Sequence, residues 1–177
     1  MRLQFGAIRT SFAYNRPHSL FQAETLQVMW QADYEIVIDA PPEAVWQVLT
    51  DLERYGQWNA YSPSAKGDLR VGGVVAIVAH LGNEQQHVNN RVLELIPNER
   101  LCWQSMNIYR WFVTGVRCRT LEVMPSQHTR FRQQETFTGL LSGVVRRWYE
   151  SRIRAGLQIE CESLRREVER RAREQLN

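Results

Sequence analysis

The residues best placed to do chemistry lie in segments 111–123 and 129–137, which read as the arms of one β-hairpin. Centring its turn on 124–128 sets Leu121 opposite Phe131, Arg119 opposite Gln133, Arg117 opposite Glu135 and Gly115 opposite Phe137. Side chains alternate between the two faces of a strand, so Arg117, Arg119, Gln133 and Glu135 share a face with Phe131, Phe137 and Trp111. Phe131 and Phe137 predict that this face is the apolar interior. A carboxylate there is costly unless a cation and hydrogen bonds satisfy it, and Arg117 opposite Glu135 supplies that partner. Two readings follow. The pair is either a device that fixes strand register, or the polar end of an apolar pocket that orients a ligand carbonyl, hydroxyl or carboxylate.

The elements that must position these residues can be read along the chain. DYEIVID, residues 33–39, alternates as a strand does. Pro41, Pro42 and Glu43 open a helix, because a proline costs no hydrogen bond in a first helical turn. Val45, Val48, Leu49 and Leu52 continue it at helical spacing. Residues 51–55 read as a second short helix, broken at Gly56 and followed by Trp58 and Asn59. From 62 to 137 the signals are all strand and turn, with Gly72-Gly73, Gly82-Asn83 and Pro97-Asn98 as punctuation. Six or seven strands with short connections imply an antiparallel meander. After Gly139 the chain is helical. Leu141, Val145, Trp148 and Ile159 share one helix face and Leu157, Leu164 and Val168 another, so a bend or a change of packing partner is expected near Gly156. The arginine- and glutamate-rich end of this helix reads as a solvated tail with ion pairs four residues apart.

This order resembles the helix-grip fold of the START-like superfamily, also called SRPBCC or polyketide cyclase/dehydrase. The likeness rests on the Pro-Pro-Glu-Ala-Val-Trp opening from Pro41 to Trp46, and on Asp51-Leu52 through Tyr55 to Trp58-Asn59. It extends to Gly67-Asp68-Leu69 with Gly72-Gly73, and to Arg91-Val92 through Pro97 to Leu101-Cys102-Trp103. Its last part is Thr129-Arg130-Phe131 through Gln133, Glu135 and Phe137 to Gly139-Leu140-Leu141. The resemblance implies an α+β fold in which a curved antiparallel sheet of six to seven strands wraps a long C-terminal helix and leaves a cavity between them. Two short helices follow strand 1. Arg117, Arg119, Gln133 and Glu135 would then sit inside that cavity or at its mouth, and two arginines would narrow it and bias it toward an acidic ligand.

Trp103, Trp111 and Trp148, with Phe112, Phe131, Phe137 and Tyr149, form an aromatic-rich body; each alone reads as core, but some must line a cavity if one exists. Trp58 lies near the expected mouth, as a lid over the core or a gate. The candidate ligand contacts are therefore Trp58, Trp103, Trp111, Arg117, Arg119, Phe131, Gln133, Glu135, Phe137 and Trp148.

Other chemistries find little support. Within 177 residues, 44% hydrophobic and 23% charged, one domain is expected and wholesale disorder is excluded. The longest apolar run, 74–79, is far shorter than the roughly 20 residues of a membrane span, so no integral membrane segment is expected. The net charge of +3 sits at the two ends, while residues 32–139 carry ten basic against twelve acidic groups. That distribution does not make a nucleic-acid surface. Cys102, Cys118 and Cys161 lack ligand spacing and read as small buried side chains in a reducing, cytoplasmic setting. His80 and His87 flank a turn but have no carboxylate or thiol to complete a metal site. Without a P-loop, dinucleotide fingerprint or nucleophile elbow, no cofactor is expected. Residues 1–31 read as a poorly ordered or extra arm and 32–177 as the ligand-binding domain. Arg2, Arg9 and Arg16, with no acid before Glu24, make residues 1–28 weakly similar to a transit peptide, though a loose arm or an upstream start chosen in place of Met29 explains them more simply.

The leading function is binding or carriage of a small hydrophobic or amphipathic molecule. A cyclase, aromatase or dehydratase would use Glu135 as acid or base and Arg117 or Arg119 to stabilise an oxyanion. A guanidinium beside a carboxylate favours its ionised form, which works against that role. An interaction role for the arginine-rich helix or the arm is the third reading, and a homodimer is left open.

Overall fold

Residues 29–106 and 112–175 are described here from a computed structural model of the chain. In β1 (Met29–Ile38) exposed and buried residues alternate, turning Trp30, Ala32, Ile36 and Ile38 inward. The strand thus includes residues 29–31, which the sequence reading assigned to the arm. Pro42 opens α1 (Pro42–Thr50), which buries Val45, Val48 and Leu49. A 3-10 turn (Leu52–Arg54) leads into α2 (Tyr55–Trp58). Gly56, expected to break this helix, lies inside it. A Cβ at Gly56 would stand 2.9 Å from the Pro63 carbonyl oxygen, so glycine serves close packing there.

Six further strands follow: β2 (Ser64–Gly67), β3 (Val74–Leu81), β4 (Glu84–Ile96), β5 (Arg100–Ser105), β6 (Thr114–Met124) and β7 (His128–Thr138). They form one antiparallel sheet with β1, in the order β1-β7-β6-β5-β4-β3-β2. The pairing of β6 with β7 sets Arg117 opposite Glu135, Arg119 opposite Gln133, Leu121 opposite Phe131 and Gly115 opposite Phe137, the register expected from the turn. A bulge between Val92 and Glu94 of β4 bends the sheet. His80 pairs with Gln85 and His87 with Val78, so the two histidines lie diagonally across the hairpin and not directly opposite each other.

The sheet grips α3 (Ser142–Gln175), a single helix of 34 residues. Its packing partner changes along its length, as expected near Gly156, though not by the stripes expected. Ile153 and Leu157 pack with Trp30, Ala32 and Phe137. Cys161, Leu164 and Val168 join a larger core with Val45, Leu49, Tyr55 and Phe131. The first stripe is corrected: Trp148 is 68% exposed, Ile159 44% and Leu141 43%, and of the four residues only Val145 turns toward the sheet. The helix rotates so as to bury Ile153, Leu157, Glu160, Cys161 and Leu164, which places Trp148 on the solvent side. The architecture is the helix-grip fold.

Cys102 and Cys118 are directly paired across β5 and β6 and form a disulfide, their Cα atoms 4.1 Å apart. This overturns the expectation of three reduced thiols, because only the β5–β6 register reveals that the two meet. Cys161 is free and buried. Closing a loop of 16 residues stabilises a fold by about 3 kcal/mol. Reduction should therefore lower Tm by about 6–12 °C. Differential scanning calorimetry with and without a dithiol checks this, and the Cys118→Ser variant should melt at the reduced temperature in both buffers.

Candidate functional site

Successive cross-strand pairs line up into rows that run across the inner face of the sheet. One row is Val92, Trp103, Arg117, Glu135 and Ala32, and the next carries Leu101, Arg119, Gln133 and Tyr34. A third joins Val75, Asn90, Ser105 and, through its hydrogen bonds to Ser105, Gly115 beside Phe137. Between these rows and the first half of α3 lies a cavity of about 610 Å³. Ile77, Ala79, Leu81 and Val88 line it from one side of the sheet, Trp103, Arg117, Glu135 and Phe137 from the other, and Val145, Tyr149 and Ile153 from the helix.

The polar end of the cavity is a network, and α3 completes it. Arg117 donates to Glu135 Oε2 from Nη2 at 2.7 Å and from Nε at 3.3 Å, to Glu160 Oε2 from Nη1 at 3.1 Å, and to the Tyr61 hydroxyl at 3.4 Å. Arg119 Nη2 donates to Glu160 Oε1 at 2.7 Å, and Gln133 Nε2 to Glu160 Oε2 at 2.9 Å. The Arg119 guanidinium lies 4.1 Å from the centre of the Trp103 ring, a cation–π contact. Cys161 Sγ donates to Gln133 Oε1 at 3.3 Å. Two cations thus meet two carboxylates, the second being Glu160, which the hairpin alone did not reveal.

Tyr61 reaches the network from the loop after α2. Asn59 Oδ1 accepts from the backbone N–H groups of Tyr61 and Ser62, and the Tyr61 carbonyl accepts from His80 N–H at 2.8 Å. Its ring lies against the bare backbone of α3 at Gly156, where any Cβ would fall on the ring carbons. Gly156 therefore gives room for Tyr61 without interrupting the helix.

Burial alone would raise the Glu160 pKa, but Arg119 and Arg117, with hydrogen bonds from Gln133 and Arg119, outweigh it and hold the carboxyl below its ordinary value. Burial also works against the Arg117 charge, and Glu135, Tyr61 and Glu160 outweigh that in turn, keeping it fully protonated. Burial pushes the Tyr61 phenol up despite the opposing Arg117, so its hydroxyl stays a hydrogen-bond donor at neutral pH. The Cys161 thiol is also pushed up by burial and stays protonated.

Of the candidate contacts, Trp103, Arg117, Glu135 and Phe137 line the cavity. Arg119 and Gln133 are buried beyond its wall, behind Arg117, and reach it only through the network. Phe131 and Trp58 belong to the solid core around Leu49 and Leu164, not to the cavity wall. Trp148 faces away from the cavity, and Trp111 lies outside the described residues. Glu160 and Tyr61 were missed. Glu160 carried a readable signal, since an acid stands between Leu157 and Cys161 in the stripe that the helix buries.

Removing one partner of a buried ion pair costs about 3–5 kcal/mol, because the other charge is left uncompensated. Glu160→Gln should therefore lose about that much in urea denaturation at neutral pH. Because the folded Glu160 pKa is depressed, its stabilisation is complete above about pH 4.5 and is lost as the pH falls through the folded value. The gap between wild type and variant should narrow on the acid side. A constant gap would place the effect elsewhere than in this charge.

Comparisons with known proteins bear on the family and the fold. Residues 29–169 match the family model described as polyketide cyclase / dehydrase and lipid transport. No curated protein matches the sequence. Among solved structures, the Zhui aromatase/cyclase of a Streptomyces species superposes with a TM-score of 0.70 at 16% identity, over 81% of this chain and 96% of that one. Norcoclaurine synthase of Thalictrum flavum gives 0.66 at 8% identity, over 82% and 98%. A protein of Mesorhizobium loti gives 0.64 at 22% identity, over 80% and 98%. At these identities the likeness is one of fold. The family match spans most of the sequence, and the chain belongs to the polyketide cyclase/dehydrase and lipid transport family.

Proposed function

We propose that the chain binds a small, largely apolar molecule in the cavity, with an uncharged polar group of that molecule turned toward Arg117, Glu135 and Tyr61. One observation carries this reading: a cavity of about 610 Å³, mostly apolar in its walls, in which Arg117 and Glu135 already satisfy each other. The volume falls within the range of small-molecule sites, about 300–1,000 Å³. An apolar ligand burying about 200 Å² would gain about 5 kcal/mol before the costs of association. Its polar group would meet the Tyr61 hydroxyl and the edge of the Arg117 guanidinium, which orient it without demanding a charge.

The family name covers both carriage and cyclisation, and the same groups would serve turnover of a carbonyl compound. Carriage is favoured because Arg117 donates twice to the same oxygen of Glu135, holding it as an acceptor instead of freeing it to move protons.

Native mass spectrometry of the purified protein should show a retained small molecule. Ala79→Phe, which fills the cavity away from the polar network, should cut retention about tenfold or more. Glu135→Gln should leave retention within about threefold. Equal retention by Ala79→Phe and wild type would contradict binding in this cavity. Multiple turnovers of the retained compound, abolished by Glu135→Gln, would convert the reading to an enzyme.

A further inference from the structure

In the first turns of α3 and just before β6, neighbouring residues divide between inside and outside. Val113, Val145 and Tyr149 line the cavity, whereas Phe112, Val144 and Trp148, one step earlier in the chain, are 49%, 51% and 68% exposed. Leu140 and Leu141, 73% and 43% exposed, join them. The N–H of Leu141 donates to the Phe112 carbonyl and that of Val144 to the Leu141 carbonyl, both at 3.0 Å. These bonds bring the backbones of Phe112, Leu141 and Val144 together, and Trp148 follows Val144 one helical turn on, so the exposed apolar residues cluster in one region of the surface, which marks a contact surface.

Positive charge is in excess beside the patch. Arg146, Arg147, Arg152 and Arg154 meet two acids, Glu150 of the helix and, 3.6 Å from Arg152, Glu84 of β4. Glu150 is shared by Arg146 and Arg154, while Arg147 has no ion-pair partner among the described residues. At helical spacing Arg147 and Arg154 border one side of the Val144–Trp148 stripe and Arg152 the other. A surface groove lined by Gly143, Arg146, Arg147, Glu150, Ser151 and Arg154 runs along the first side; Glu150 is taken up by Arg146 and Arg154, which leaves the Arg147 guanidinium and the Ser151 hydroxyl as donors for a phosphate.

This charge selects the occupant. A second copy of the chain would bring the same arginines against these, and residues 1–28, with three arginines and one glutamate, would add positive charge as well. An anionic bilayer complements both parts, taking tryptophan and leucine at the interface and arginine at the phosphates. We propose that this face docks on an anionic lipid surface, with Leu140 and Trp148 inserted and Arg147 and Arg154 on lipid phosphates.

Flotation with phosphatidylcholine vesicles, with and without phosphatidylglycerol, tests this. Wild type should float with the anionic vesicles, weakly with the neutral ones, and less as salt rises. Leu140→Ser with Trp148→Ser, and separately Arg147→Glu with Arg154→Glu, should each reduce flotation about tenfold or more. Leu140, Trp148 and Arg147 are exposed and make no ion pair among the described residues, so Leu140→Ser with Trp148→Ser, and Arg147→Glu alone, should leave melting curves unchanged. Arg154→Glu also gives up its contacts with Glu150 and Gln31, so Arg147→Glu alone, which should still lose several-fold, is the deciding charge variant. No flotation of wild type, or flotation indifferent to both pairs, overturns the proposal. So does a dimer that Trp148→Ser converts to monomer, which gives the face to a second copy. Saturable binding to polyglutamate with none to vesicles overturns it in favour of an acidic protein. The vesicles carry no cavity ligand, so failure here leaves the cavity reading standing, and failure of the cavity reading leaves this one.

Discussion

Two arginines two residues apart on one strand face point into the same core, and the fold depends on how that charge is neutralised. Arg117 and Arg119 are 7% and 1% exposed at their side chains, and neither charge is tolerable there alone. Glu135 answers from the neighbouring strand and Glu160 from the helix, so the network ties the β6–β7 register to the seating of α3. A one-turn slip of the helix would leave Glu160 buried among leucines and Arg119 facing only the Trp103 ring. Apolar contacts supply the bulk of the stability, while these ions penalise the wrong arrangements.

The same network marks a boundary within the molecule. Beyond it, Cys161, Leu164 and Val168 of α3 pack solidly against α1 and the sheet. Before it, Val145, Tyr149 and Ile153 pack near Trp30 and Phe137 and line the cavity. The polar cluster is thus the floor of a hollow whose walls come from β3 to β7. Tyr61 closes part of that floor because its loop is held at both backbone groups and Gly156 lets the ring lie on the helix. The first turns of α3 present exposed apolar residues and arginines.

Much of this was legible in the residues. The turn at 124–128 and strict alternation were enough to set Arg117 against Glu135 and Gln133 beside Arg119, because antiparallel register follows from the position of the turn. The family motifs brought the helix-grip architecture with them. What escaped depended on contacts far apart in sequence. Glu160 sits in a charge-rich helix where an acid reads as solvated unless its place between Leu157 and Cys161 is weighed. Trp148 was assigned to the interior by its helical spacing with Leu141, Val145 and Ile159, but a helix presents one face, and the stripe through Ile153, Leu157 and Leu164 claims it. Cys102 and Cys118 meet only through the pairing of β5 with β6, for which the long connection between those strands left no turn to count from.

The central claim is that charge compensation makes the cavity floor electrically neutral, so that it accepts uncharged polar groups. Isothermal titration with a three-ring aromatic ketone and with the carboxylic acid of the same skeleton measures this directly. The ketone should bind at least about tenfold more tightly near neutral pH, because a ligand carboxylate would compete with Glu135 for Arg117. Equal or tighter binding of the carboxylate would mean that the arginines retain free positive charge, and the account of the floor would be wrong.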